Sequence, residues 1–135
     1  MLIDLHELNY IAIIAGGLLY MIYGAIYYSI ILGNKKEGNL DPQDKGHQSR
    51  GSLKYGVSVI VAFISSIFVA ILVQATGSAS LLEGAVIGII IGILISIVYL
   101  KNALFGLLTK KTLVIAIGDH LIIFTLLGAL HGLLL

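Results

Sequence analysis

Uncharged, mostly apolar residues fill four long segments of the chain, and polar or glycine-containing stretches separate them. This pattern predicts four helices, over about 8–32, 54–76, 79–100 and 112–135. A helix needs about 20 apolar residues to cross the ~30 Å hydrocarbon core of a bilayer, and each segment is long enough. Membrane β-strands would alternate apolar and polar residues, whereas 87–95 reads IGIIIGILI. We therefore predict an all-α fold, an integral membrane four-helix bundle that forms one transmembrane domain over 1–135.

The composition points the same way. Hydrophobic residues make up 59% of the chain and charged residues only 11%, whereas soluble domains carry roughly 25% charged residues. An ordinary soluble domain is therefore excluded. The net charge of +1 gives no reason to expect a nucleic-acid partner. The lipid bilayer is the first partner that the sequence predicts.

Positive charges occur in only two places. Five lie in or beside the loop 33–53, and three flank the connection between the third and fourth segments: Lys35, Lys36, Lys45, Arg50 and Lys54, then Lys101, Lys110 and Lys111. With four spans, both basic connections lie on the same side of the membrane, which the positive-inside rule assigns to the cytoplasm. We expect a multi-pass protein of the inner (cytoplasmic) membrane, with loop 33–53 in the cytoplasm and both termini extracytoplasmic.

Rows of small residues, one at every fourth position, mark packing surfaces on the predicted helices. The third segment carries Ser80, Gly84, Gly88, Gly92 and Ser96. The second carries Ser58, Ala62, Ser66 and Ala70, and the fourth adds Gly128 and Gly132. Such rows let helix backbones approach closely where lipid offers no hydrophobic drive for association. We expect the second and third segments to pack together, and the row of the third to contact a second copy in a homo-oligomer.

Four ionisable residues fall inside the predicted spans, where such groups are costly and usually face the protein interior. They are Glu83, Asp119, His120 and His131. At a rise of about 1.5 Å per residue, Asp119 and His120 lie roughly 11–12 Å from the cytoplasmic end of their helix. Tyrosines of the first segment reach the same level.

We expect these groups to form a polar ladder along one face of the bundle. From the outer surface to the cytoplasm it runs through Glu83 and His131, Asp119 and His120, Tyr20 and Tyr23, and Tyr27. The first two are expected to pair, although Glu83 also suits a capping role at the start of its helix. Carboxylate, imidazole and phenol groups are those of proton relays, and histidine changes charge near neutral pH. The alternative is a buried polar knot that fixes helix register.

Catalytic motifs are missing from the sequence, which has no HExxH, CxxC, GxSxG or P-loop. The neighbours Asp119 and His120 diverge by ~100° on a helix and do not face one metal. We predict no metal and no cofactor, and a lipid-modifying enzyme would need a nucleophile that we do not find. Two functions remain. One is a small proton- or solute-conducting transporter or channel that acts as an oligomer. The other is a non-catalytic membrane assembly or accessory protein.

Short motifs along nearly the whole chain resemble a family of small bacterial and archaeal membrane proteins, domain of unknown function 1761. The matching stretches are Asn9-Tyr10, Gly24-Ala25-Ile26-Tyr27-Tyr28-Ser29, Leu82-Glu83-Gly84-Ala85 with Gly88, and Gly118-Asp119-His120 with Gly128 and Gly132. The chain departs from the family where Tyr27 replaces a tryptophan, Ile30 a proline, and Asp119 an aromatic residue. The resemblance implies four helices and no established activity.

Overall fold

The chain folds into four long α-helices in a computed structural model that describes residues 3–33 and 51–134. They are α1 (Tyr10–Gly33), α2 (Gly51–Ala75), α3 (Leu81–Leu104) and α4 (Lys110–Leu134). Each is long and apolar enough to cross a membrane. The predicted all-α, four-helix fold is thereby confirmed. Most of the predicted loop 33–53 lies outside the described residues.

Three helices continue past the predicted boundaries because lysines are included in their ends. The helix α2 starts at Gly51 ahead of Lys54, α3 runs beyond Lys101, and α4 starts at Lys110. A lysine at a helix end keeps its charged head in water while its stem lies along the helix, so it does not end the helix. Hydropathy therefore located the apolar segments and understated the lengths of α2, α3 and α4.

Paired contacts show the directions of the helices. Gly16 meets Ser66 and Gly17 meets Phe63, so α1 and α2 are antiparallel. Gly84 meets Gly128 and Gly88 meets Phe124, so α3 and α4 are antiparallel. Gly16 also meets Leu127 while Tyr28 meets Asp119, so α1 and α4 are antiparallel as well. The described lysines consequently lie at one end of the bundle, here called the lysine end; they are Lys54, Lys101, Lys110 and Lys111. The turn 76–80 and the start of α1 lie at the opposite end.

The tightest helix pair is α3 with α4, whose backbones touch through glycine. A Cβ placed on Gly84 would meet the carbonyl oxygen of Gly128, and one on Gly88 would meet that of Phe124. Further along, a Cβ on Gly92 would lie 3.0 Å from Leu121. The glycine row of α3 is therefore filled by α4 over two turns and more.

The predicted packing of the second segment on the third is wrong. The row of α2 meets α1, where a Cβ on Gly16 would collide with the Ser66 hydroxyl and one on Gly17 with the Phe63 ring. A small-residue row identifies a face that another backbone approaches, but it does not identify the partner helix. The expected use of the α3 row as the contact with a second copy is also wrong, because α4 already covers that row.

Among the described residues, the helices are closely packed in the middle of the bundle and toward the opposite end, and less closely packed toward the lysine end. The core residues Val69, Val73, Ile123 and Leu127 are at most 1% exposed. On one face of α2, Ala62 and Ser66 are fully buried, yet Ser58, one turn nearer the lysine end, is exposed. All residues from 53 to 61 are exposed, so this part of α2 stands away from the described parts of the other helices. We call the space beside it the lysine-end gap.

Candidate functional site

A buried carboxylate lies in the lysine-end half of α4, at the tenth of its 25 residues. Asp119 is only 7% exposed, and its Oδ2 accepts a 2.7 Å hydrogen bond from the Tyr28 hydroxyl. That length is ordinary for a hydrogen bond between two oxygens. Among the described residues, no lysine or arginine nitrogen lies within 4.0 Å of the carboxylate. Asp119 is therefore held by one neutral donor rather than by a full counter-charge.

The partner of Asp119 is not one of the tyrosines that sequence depth indicated. The Tyr20 ring packs edge-on against Phe124, with centroids 6.3 Å apart. Tyr23 stacks on Tyr27 at 5.5 Å, and its buried hydroxyl has no hydrogen-bond partner among the described residues. The partner is Tyr28, which the depth estimate did not select although it belongs to the motif that carries the family resemblance.

Side-chain direction explains the difference. Side chains of a helix lean toward its N-terminus. Because α1 and α4 are antiparallel, Tyr28 leans away from the lysine end while Asp119 leans toward it. The two side chains meet although their backbones lie at different depths. An estimate from the helix rise alone ignores this lean and selects residues about one or two turns too deep.

Tyr27 makes a second contact between the same two helices, one turn from the first. Its hydroxyl donates a 2.8 Å hydrogen bond to the carbonyl oxygen of Ile115. A Cβ on Gly118 would lie 2.9 Å from that hydroxyl, so the glycine leaves the space that the phenol occupies. Tyr27 and Tyr28 together attach the lysine-end half of α1 to α4.

His120 points to the other side of α4, toward α3. Its Nδ1 lies 2.7 Å from the carbonyl oxygen of Ala116, and since a carbonyl only accepts, Nδ1 donates. The same nitrogen is 4.0 Å from Asp119 Oδ2. The imidazole ring lies against Tyr99 of α3, with centroids 5.1 Å apart. We call Asp119, Tyr27, Tyr28, Tyr99 and His120 the carboxylate cluster.

His131 belongs to a separate site nearer the opposite end. It is 2% exposed, and its Nε2 lies 3.0 Å from Ser66 Oγ. Ser66 Oγ donates to the carbonyl oxygen of Ile13 at 2.8 Å. Because serine has a single hydroxyl hydrogen, Nε2 must donate to Oγ. We call Ile13, Ser66 and His131 the histidine junction, and it links α1, α2 and α4.

The expected pair of Glu83 and His131 is not formed. Glu83 is exposed, and its Oε2 accepts from the backbone N–H of Ala79 at 2.7 Å. The Ser80 hydroxyl accepts from the backbone N–H of Glu83. These reciprocal bonds form a variant of the capping box at the start of α3. Glu83 therefore folds back along its own helix, while His131 is enclosed between α1 and α2.

The predicted polar ladder is interrupted. Leu127 and Ile123 lie on α4 between His131 and Asp119, and both are fully buried. Val69 and Val73 of α2 belong to the same apolar layer. The polar groups therefore form two clusters with an apolar layer between them. Among the described residues, no group of three His, Asp or Glu side chains could hold a metal ion.

Comparison with known proteins gives one match. No curated protein and no solved structure matches the chain. The family model described as "Protein of unknown function (DUF1761)" matches residues 11–132, which include both polar clusters. Since the match covers nearly the whole chain, the resemblance seen in its motifs is confirmed, and the chain belongs to the DUF1761 family of proteins of unknown function.

Proposed function

We propose that this protein is a small transporter of the cytoplasmic membrane, which binds a proton or a small cationic solute at Asp119. The observation that carries the proposal is the buried carboxylate with one neutral hydrogen-bond donor. A carboxylate at the centre of a membrane helix costs about 2.5–3.5 kcal/mol on insertion scales. One phenol hydrogen bond offsets part of this cost. A proton or a bound cation would remove the remainder.

The orientation follows from the lysines. All described lysines share one end, which the positive-inside rule assigns to the cytoplasm. In that orientation both termini face outward, and Asp119 is approached from the cytoplasmic side along the lysine-end gap. The apolar layer of Ile123 and Leu127 then closes the path outward.

A transporter fits this arrangement better than a channel. A conducting channel needs polar or water-filled surroundings along its whole length, whereas a transporter needs a site that is open to one side at a time. The apolar layer beyond Asp119 closes the site toward the outer side, as a transporter requires. The homo-oligomer predicted from the sequence remains part of the proposal, without the α3 row as its contact.

Flux in proteoliposomes tests the proposal. The Asp119→Asn variant keeps an oxygen that can accept from Tyr28 but loses the charge, so we expect proton or solute flux driven by a pH gradient to fall at least tenfold. The matched control is Glu83→Gln, which removes the other carboxylate of the helical segments from an exposed capping position. Its flux should equal that of the unmodified protein. Equal flux in all three proteins would overturn the proposal.

A second candidate function, a non-catalytic assembly or accessory protein, is favoured by the histidine junction. Its three groups are buried, hydrogen-bond to one another through Ser66, and link three helices. In this case Asp119→Asn would lower thermal stability without changing flux, and a partner protein would co-purify with the unmodified chain from native membranes.

A further inference from the structure

Aromatic rings flank Asp119 on two sides. On α1, Tyr27 and Tyr28 pack edge to face with centroids 5.5 Å apart, and Tyr28 is the ring bonded to the carboxylate. On the other side, His120 approaches the same carboxylate oxygen and contacts Tyr99. The cluster thus combines a single negative charge with several π faces contributed by α1, α3 and α4.

This combination suits an organic cation better than a metal ion. A cation over an aromatic face is attracted by the ring quadrupole, more strongly where water is excluded. Hard metal ions instead require several oxygen ligands around them. The described residues around Asp119 supply no group of three His, Asp or Glu side chains for a metal. The nearby carbonyl oxygens of Ile115 and Ala116 already accept from Tyr27 and His120.

The route to the site is also apolar. The stretch 53–61 of α2 beside the gap reads LKYGVSVIV, with Lys54 as its one charged residue. The gap reaches the depth of the carboxylate, as the contact of Ser66 on α2 with His131 on the parallel helix α4 indicates. Twelve residues, about 18 Å, back along each helix bring Lys54 and Asp119 to a similar level. A hydrated inorganic ion would have to shed water against these side chains. A cation with an apolar body would gain by burying its surface there.

We infer that the carboxylate cluster binds a lipophilic organic monocation, such as a quaternary ammonium or phosphonium compound, which enters along the lysine-end gap. Asp119 supplies the counter-charge, and the rings of Tyr28, Tyr99 and His120 supply the cation–π surface. The inference rests on the proposed function and specifies its substrate class. The shape of the cluster selects for a single delocalised charge on an apolar body.

Binding of tetraphenylphosphonium to the purified full chain tests the inference, with uncharged triphenylphosphine oxide as the reference probe. We expect saturable binding of the cation only, weakened at least tenfold in Asp119→Asn and unchanged in the control Glu83→Gln.

Two substitutions at Tyr99 distinguish the contribution of its ring to binding from that of its hydroxyl. Tyr99→Phe should keep the affinity, and Tyr99→Leu should lower it about 3- to 30-fold, the range expected for one cation–π contact. The exposed Tyr10 at the opposite end provides the matched control Tyr10→Leu, which should bind normally.

The outcomes separate this inference from the proposed function. Equal binding of the cation and the neutral probe, or equal affinity in Asp119→Asn and the unmodified protein, would overturn the inference. If the cation fails to bind while proton flux still depends on Asp119, the inference is wrong and the proposed function stands. If flux also ignores Asp119, both are wrong. If Tyr99→Leu and Tyr99→Phe bind equally well, the aromatic part of the inference is wrong.

Discussion

Asp119 and Tyr28 show how far a single residue can be interpreted from sequence. The buried aspartate was identifiable because a charge in a long apolar segment needs a partner. Its partner was not identifiable, because backbone depth says nothing about the lean and the length of a side chain. Glu83 illustrates the opposite case, since the spacing of Ser80 and Glu83 already contained the capping pattern that the structure shows.

Removing the Tyr28 hydroxyl should destabilise the protein through Asp119. In Tyr28→Phe the carboxylate loses its one donor among the described residues, so we expect the free energy of unfolding in detergent to fall by about 1–3 kcal/mol. The double variant Tyr28→Phe/Asp119→Asn should recover part of that loss. The control Tyr55→Phe, at a position 71% exposed, should change little. Strictly additive effects of the two substitutions would contradict the contact.

Ser66 should contribute more to the free energy of unfolding than the small size of its side chain suggests. Ser66→Ala leaves the Nε2–H of His131 and the carbonyl oxygen of Ile13 without their partner in a fully buried position. We expect a loss of about 1–3 kcal/mol in unfolding free energy. Ser58→Ala, on the same face of α2 but exposed, is the matched control and should lose less than half as much. Equal losses at the two positions would show that the histidine junction contributes no stability of its own.

Helix faces were predictable, and helix partners were not. The four-residue spacing of small residues on α2 and α3 correctly indicated two packing surfaces. It did not indicate that α3 packs on α4 and α2 on α1, because each row is compatible with any other. The outcome depends on glycine meeting glycine, as Gly84 meets Gly128, where both backbones are bare.

The glycine contact between α3 and α4 should not tolerate even a methyl group. In Gly88→Ala the new Cβ would meet the backbone carbonyl of Phe124, and the two helices would have to separate. We expect the unfolding free energy to fall by about 1–3 kcal/mol or more. Gly24→Ala, where a Cβ has nothing within 4 Å, should be neutral or stabilising, because alanine is the better helix former. Similar destabilisation at both sites would contradict the packing.

At the scale of the whole molecule, the sequence predicted the all-α, four-helix architecture and the gathering of positive charge at one end. It predicted neither the apolar layer of Ile123 and Leu127 nor the lysine-end gap. Both depend on how far neighbouring helices diverge, which hydrophobicity does not encode, since α2 is apolar along both its buried and its exposed halves. The division of the described helices into a closely packed half and a less closely packed half is therefore a property of packing.

The proposed orientation is open to direct labelling, because the chain has no cysteine of its own. A single cysteine at Ala79, exposed at the opposite end, should react in intact cells with a membrane-impermeant maleimide. A cysteine at Leu107, exposed at the lysine end, should react only after permeabilisation. The reverse pattern would place the lysine end outside and would contradict access to Asp119 from the cytoplasm.

Infrared difference spectroscopy of the carboxyl stretch tests the central claim most directly, namely that Asp119 is the group that takes up the ligand. The unmodified protein in lipid should show a carboxyl band that changes when tetraphenylphosphonium is added at constant pH. The band should be missing in Asp119→Asn and intact in Glu83→Gln. A band that responds identically in all three proteins would assign the response to another group, and the account of the carboxylate cluster as a binding site would be wrong.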